Sequence, residues 1–222
     1  MPHRARILAV SGLADPGQST QRIRLEIEGF HFRAGQYLEV LHPNGTRIPL
    51  SIASSPSCLP ELELHYRSTP DNAEAAAMDE LLTGQSLDVS DAAGMITCPS
   101  ATTPLLVVAG GSGAALAFCL AAYRSEQMSQ AQVVWYADRD DDIYDLERLR
   151  SSTHTLEVFI DARRTSENTG LMWLDERAAD FIEAAIIITG SPPFVYAVTD
   201  TLLAQGIAQT QLQSDVYQYA PR

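Results

Sequence analysis

"LLVVAGGSGAALAFCLAA", residues 105–122, passes from an unbroken apolar run through four small residues into an alanine-rich segment. An apolar run with no alternation is the pattern of a strand buried on both faces, as in a parallel sheet. Ala, Leu and Phe then recur at helical spacing, so the junction at Gly110, Gly111, Ser112 and Gly113 joins a strand to a helix. Glycines there let the backbone approach a ligand closely, and a helix N-terminus offers free N–H groups to a pyrophosphate. The spacing is not G-x-G-x-x-G, so a plain tight turn explains the same four residues.

The pattern repeats downstream. "AQVVWYA" (131–137), "TLEVFID" (155–161) and "AAIIITG" (184–190) are further buried runs. Between and after them lie helical segments: "AALAFCLAAYRSEQ", "DLERLRS", "WLDERAAD" and "FVYAVTDTLLAQG". Alternating strands and helices predict right-handed crossovers and a doubly wound α/β domain over residues 100–222.

Upstream the periodicity is two. "RARILAV", "RIRLEI", "YLEVL", "IPLSIA", "ELELHY" and "SLDV" alternate apolar and polar, separated by "DPGQ", "HPNGT" and "SPSCLP". "NAEAAAMDELL" (72–82) is the exception and predicts a helix. A six-stranded antiparallel Greek-key β-barrel over residues 1–99 follows, with the boundary at "CPSATTP" (98–104).

Composition narrows the chemistry. The 222 residues suffice for two small domains, and no run approaches the ~20 apolar residues of a membrane span. The N-terminus carries no export signal, so a cytoplasmic protein is expected. Cys58, Cys98 and Cys119 are scattered, against a disulfide framework or an iron–sulfur cluster. A net charge of −13 argues against a nucleic-acid partner. Every basic residue is arginine, which excludes Schiff-base chemistry and a lysine-dependent phosphate loop.

Ligands of open α/β sheets bind beyond the carboxyl ends of the strands. "WYADRDDDIYDLERL" places Arg139 at one such end, and "ITGSPPFVYAV" places Gly190, Ser191, Pro192 and Pro193 at another. Arg139 can hold a cofactor phosphate or pair with Asp138, Asp140 or Asp141.

A barrel ending in P-x-S, then G-G-S-G, then "YxxRxxxxxYDLxxL", then "GSPPFVYAV", resembles the ferredoxin–NADP reductase superfamily over essentially the whole chain. Within it the chain is most similar to the short NAD(P)H:flavin oxidoreductases. The resemblance implies a flavin on the barrel at a motif R-x-Y-S or R-P-F-S, whose serine lies near flavin N5. Here the motif reads Ile48, Pro49, Leu50 and Ser51, with Arg47 one residue early. Strand alternation turns Arg47 away from Ile48, so only a bulge or bend brings it to the side where the motif expects it.

By the same resemblance, His65 and Tyr66 lie on the flavin side of the barrel. Gly110 to Gly113, Arg139, and Gly190 to Pro193 with Phe194 hold the nicotinamide dinucleotide. The C-terminal "SDVYQYAPR" resembles the family's final short strand, with Tyr217 and Tyr219 on one face. "RSTPDNAEAAAMDELL" stands where FAD-retaining members carry a Gly and Ser/Thr loop, which favours a loosely held flavin: FMN, riboflavin or FAD. Arg67, Ser68 and Thr69 could touch a phosphate, or Asp71 with Glu74 could simply cap the next helix.

Asp138 and its acidic neighbours favour NADH over NADPH, while Arg163 and Arg164 offer an alternative phosphate site. The implied reaction is hydride transfer from NAD(P)H to a flavin, with Ser51 as the catalytic candidate and no metal. Two other readings stay open: a flavin-bound reductase subunit serving an oxygenase or other acceptor protein, and a flavin-poor, non-catalytic protein of this fold.

Overall fold

The computed structural model describes residues 2–13, 20–68, 73–160 and 169–222. The "DPGQ" turn, Thr69, Asp71, Arg163 and Arg164 lie outside the described residues. The first half is a curled antiparallel sheet of β1 (His3–Gly12), β2 (Thr20–Glu26), β3 (Tyr37–Leu41), β4 (Arg47–Ser51), β5 (Glu61–Arg67) and β6 (Ser86–Val89). Helix α1 (Ala73–Leu81) connects β5 to β6. The spatial order is β4-β3-β6-β1-β2-β5.

The expected barrel is a half-barrel. Its edge strands β4 and β5 meet at a single bridge, Ile52 with Leu64, beside a bond from Ala53 N–H to the Glu63 carbonyl. Continued antiparallel pairing would set Ser51 opposite His65, Leu50 opposite Tyr66 and Pro49 opposite Arg67, and no such ladder forms. Proline has no N–H to give a ladder, so Pro49 favours an opening there.

The two faces of β5 have different employers. Leu62, Leu64 and Tyr66 point into the half-barrel, where Tyr66 Oη donates to the Ala75 carbonyl of α1 at 3.1 Å. Glu63, His65 and Arg67 point outward, against the second sheet. That sheet contains β7 (Leu105–Gly110), β8 (Ala131–Ala137), β9 (Thr153–Ile160), β10 (Ala185–Thr189) and the short β11 (Leu212–Gln213), all parallel.

Its order, β11-β10-β7-β8-β9, reverses direction between β7 and β10, the topological switch point of a doubly wound domain. The helices are α2 (Ala114–Glu126), α3 (Leu146–Ser151), α4 (Thr169–Arg177), α5 (Pro192–Ala204) and the C-terminal turn α6 (Val216–Tyr219). All six residues of β7 are buried, as an unalternating apolar strand requires.

Arg124 of α2 ties the stretch between the sheets. It is 1% exposed, and its guanidinium donates to the carbonyls of Pro99, Ser100, Ala101 and Thr103 and to Ser129 Oγ. Four carbonyl dipoles stand in here for a counter-ion at the two terminal nitrogens, while the buried Nε has no hydrogen-bond partner among the described residues.

Candidate active site at the seam of the two sheets

A cleft of about 600 Å³ runs along the seam. Its barrel wall is the opened edge: Pro49, Leu50 and Ser51 of β4 with His65, Tyr66 and Arg67 of β5, joined by Tyr37 and Glu39 of β3. Its other wall is the switch point, with Ser112, Gly113, Thr189 and Gly190 at the carboxyl ends of β7 and β10 and Leu116 on α2. Asp215 and Tyr219 close one end. Segments far apart in the chain, "PLS" and the end of "GGSG", therefore line one cleft.

The glycines of the turn serve different purposes. Gly111 has φ +56° and open space for 4 Å around the point where a Cβ would stand, so it is needed for its left-handed backbone. Gly113 is needed for space: a Cβ there would sit 2.9 Å from the Thr189 backbone. A Cβ on Gly110 would meet the Phe194 ring at 2.6 Å, which places Phe194 directly on the strand end. Gly110, Gly111, Ser191, Pro192, Pro193 and Phe194 stand behind the lining; the two prolines begin α5 and Phe194 packs beside Tyr136.

The turn is anchored from below. Trp135 of β8, fully buried, donates its indole N–H to the Gly111 carbonyl at 3.0 Å. Its ring meets Tyr144 edge-on at 4.9 Å. Tyr144, whose phenol is pushed up by burial and so keeps its proton, bonds His65 Nδ1 at 3.0 Å. His65 Nε2 lies 2.6 Å from Glu63 Oε1, which also takes Arg148 at 2.7 Å. The carboxylate can only accept, so Nε2 carries the proton and Nδ1 accepts from Tyr144.

Burial keeps His65 below its ordinary pKa and thus neutral. For Glu63, burial alone would raise the carboxyl, but the His65 hydrogen bond and Arg148 outweigh it and hold it at about 2. Arg22 of β2 adds an ion pair to Glu63 at 3.3 Å and another to Asp145. A continuous network thereby links β5 to the glycine turn.

Of the described candidate arginines only Arg67 lines the cleft, Arg47 and Arg139 do not, and all three have carboxylate partners. Arg47 shares the outward face of β4 with Pro49 and Ser51, with no bulge between them. Both its Nε, at 2.9 Å, and its Nη2 donate to Glu39 Oε2. Ile48, at the motif's arginine position, is buried in the half-barrel. Arg67 pairs with Asp142 at 2.6 Å, and Arg139 with the same oxygen at 3.2 Å.

The C-terminus differs from expectation. Residues 216–219 form a helical turn, so Tyr217 and Tyr219 diverge rather than share a strand face. Tyr217 Oη bonds Thr199 Oγ1 at 2.7 Å beside Tyr196, while Tyr219, 67% exposed, lines the cleft.

Sequence reasoning missed Tyr37, Glu39, Thr189 and Asp215. Thr189 carried a signal, since it ends a buried strand directly before Gly190. The others did not: Tyr37 and Glu39 arrive by hairpin register, and Asp215 by the fold of the C-terminal turn. Burial pushes Asp215 up, opposed by the backbone N–H groups of Met95 and Ile96. Tyr37 is raised by burial and then by the nearby Asp215 and Glu39.

Comparison with solved structures identifies this architecture. The ferredoxin reductase of carbazole 1,9a-dioxygenase superposes with a TM-score of 0.80 at 19% identity, over 97% of this chain and 69% of that one. Ferredoxin–NADP+ reductase from Plasmodium falciparum gives 0.75 at 15% identity, over 95% and 94%. This is the ferredoxin–NADP reductase fold.

No family model matches the chain. Reductase components 1 and 2 of terephthalate 1,2-dioxygenase from Comamonas sp are each 34% identical to it over 103 residues, 46% of this chain. The match spans about a third of the length of those relatives, 31% of each. In this reductase fold the half-barrel edge and the switch point of the parallel sheet are brought to one cleft. Among the described residues no group of His, Cys, Asp and Glu is arranged to hold a metal, and no helix is long and apolar enough to cross a membrane.

Proposed function

We propose that the chain is an NAD(P)H-dependent reductase that passes hydride to a flavin held in the seam cleft. The observation that carries this reading is the opposition of Pro49–Leu50–Ser51 to Gly113–Thr189–Gly190 across one cleft. The cleft suits a flat ring system: Leu50, Ile96 and Leu116 give apolar surface, and Ser51 and Tyr37 give polar tips. When bound, the flavin accepts the hydride and its electron pair. The chain's work is to bind, orient and exclude water, since positioning two rings in contact lowers such a barrier by several kcal/mol.

In this reading Ser51 supplies the hydrogen bond beside the flavin's reacting nitrogen and Leu50 covers the ring. His65 and Tyr66 shape the wall behind them. The turn Gly110–Gly113 receives the dinucleotide phosphates on its N–H groups, and Gly190 to Phe194 shape the nicotinamide end. Thr189, facing the same cleft, joins Ser51 as a second hydroxyl. Arg139 serves the dinucleotide after leaving Asp142. The acidic run at Asp138–Asp142 favours NADH over a 2′-phosphorylated cofactor. We divide the chain near residue 99, where the Arg124-bound stretch separates the two sheets, and three unpaired cysteines suit a cytoplasmic protein.

A second reading is supported by the names of the matched relatives, which are reductase components of dioxygenases. In it the electrons pass on to an oxygenase or another acceptor protein. Anaerobic stopped-flow oxidation of NADH and NADPH with added flavin tests the first reading: saturable turnover is expected, and its absence overturns flavin reduction. Protein that purifies yellow and reduces an acceptor without added flavin would favour the second.

A further inference from the structure

One peptide of the glycine turn is oriented by a buried side chain from another strand. Gly111 has φ +56° and open space where a Cβ would stand, so no side chain of its own fixes which way the peptide to Ser112 faces. Its carbonyl takes two donors. One is the Ala114 N–H, from the first turn of the helix that follows. The other is the indole N–H of Trp135 on β8, fully buried, at 3.0 Å. The indole is itself held by two rings that meet it edge-on, Tyr144 at 4.9 Å and 80° and Phe118 at 6.2 Å and 84°.

A trans peptide points its N–H opposite to its C=O. With the Gly111 carbonyl drawn inward to Trp135, the N–H of the same peptide, on Ser112, points the other way, and Ser112 lines the cleft. The first N–H groups of a helix have no partner within it and are the ones that meet an anion. Resting on the flavin-reductase reading, we infer that Trp135 is a positioning residue: it locks the Gly111–Ser112 peptide so that the Ser112 N–H faces the phosphates of the dinucleotide. Turned over, the same peptide would present a carbonyl oxygen to those phosphates. One buried hydrogen bond thereby decides between attraction and repulsion, and Tyr144 and Phe118 act one step behind it by holding the indole in place.

The test compares two hydride donors on the whole protein: NADH, and dihydronicotinamide riboside, which carries the same ring and no phosphate. Trp135→Phe keeps an aromatic ring and removes the N–H. It should lower kcat/KM for NADH relative to that for the riboside by about threefold to tenfold, the worth of one hydrogen bond. A second measurement needs no variant. In the wild-type protein, saturating NAD+ should move the indole N–H proton resonance of Trp135 downfield, because a phosphate on the Ser112 N–H polarises the peptide and strengthens the bond to its carbonyl. Trp173, the chain's other tryptophan, packed by Phe159 and Phe181, is the internal comparison.

A Trp135→Phe protein that loses activity with both donors equally, or with neither, would overturn the lock while leaving flavin reduction standing. So would an indole resonance that saturating NAD+ leaves in place. Absence of turnover by the wild-type protein with either donor and any added flavin would sink the flavin-reductase reading, and the indole shift on NAD+ would then still decide the lock.

Discussion

The seam between the two sheets has two ends built on the same strand, and they are opposites. Around Glu63 and His65, β5 is locked to the second sheet through Tyr144, Arg148, Arg22 and the Phe118 ring. Around Tyr66 and Arg67, two residues on, the half-barrel edge is unpaired and lines a cleft, which only the Arg67–Asp142 pair crosses there among the contacts described. A strand that alternates its faces can do both, because its outward positions, 63, 65 and 67, are spent in turn on an ion cluster, an aromatic cluster and a cleft wall. Tight contact and access are placed side by side on one strand.

That contrast can be broken most severely at the switch point. Gly113→Val puts a side chain into the Thr189 backbone, and the expected result is loss of soluble folded protein, read by expression and thermal unfolding. At the locked end, Glu63→Gln removes the carboxylate that His65, Arg148 and Arg22 share and leaves the two arginines only Asp145 among the described residues, and a loss of about 2 kcal/mol is expected by denaturant unfolding.

Acid should act on the same end. His65 below its ordinary 6.5 means that the unfolded chain takes that proton first, so stability falls as pH drops below about 6.5. Glu63, lowered from 4.5 to about 2, contributes stability that is whole above 4.5 and lost as pH falls toward 2. Urea midpoints measured from pH 8 to 3 should decline in those two windows, and in Glu63→Gln the lower one should flatten.

Smaller changes sharpen the contrast. Trp135→Phe removes the donor to the Gly111 carbonyl, costing about 1–2 kcal/mol and raising the NADH KM severalfold while the flavin KM holds. An equal rise in both would show a general loosening instead. At the open end, Ser51→Ala should leave stability within about 0.5 kcal/mol, since Ser51 stands on the cleft wall. On the proposed function it should slow hydride transfer by about tenfold in single-turnover kinetics, the worth of one hydrogen bond.

The locked and open ends were not equally legible in the sequence. Two sheets and their order of elements followed from periodicity, and the glycine turn from the rule that ligands sit at strand carboxyl ends. The place of "PLS" in a site came only from the resemblance to the ferredoxin–NADP reductase superfamily. What could not be read was the partner of each charge. Arg47 meets Glu39 only because of a hairpin register, and His65 meets Tyr144 across 79 positions. The C-terminal "DVYQY" alternates like a strand, yet its backbone turns into a helix that lets Asp215 cap the N–H of Met95. Alternation over five residues is too short to outweigh such a contact.

The four carbonyls gathered on Arg124 have one more consequence. A connector whose backbone oxygens converge on a single internal cation cannot swivel without exposing that cation unsatisfied. The connector between the two sheets is thus held from inside by a side chain of the second, at four points of its backbone.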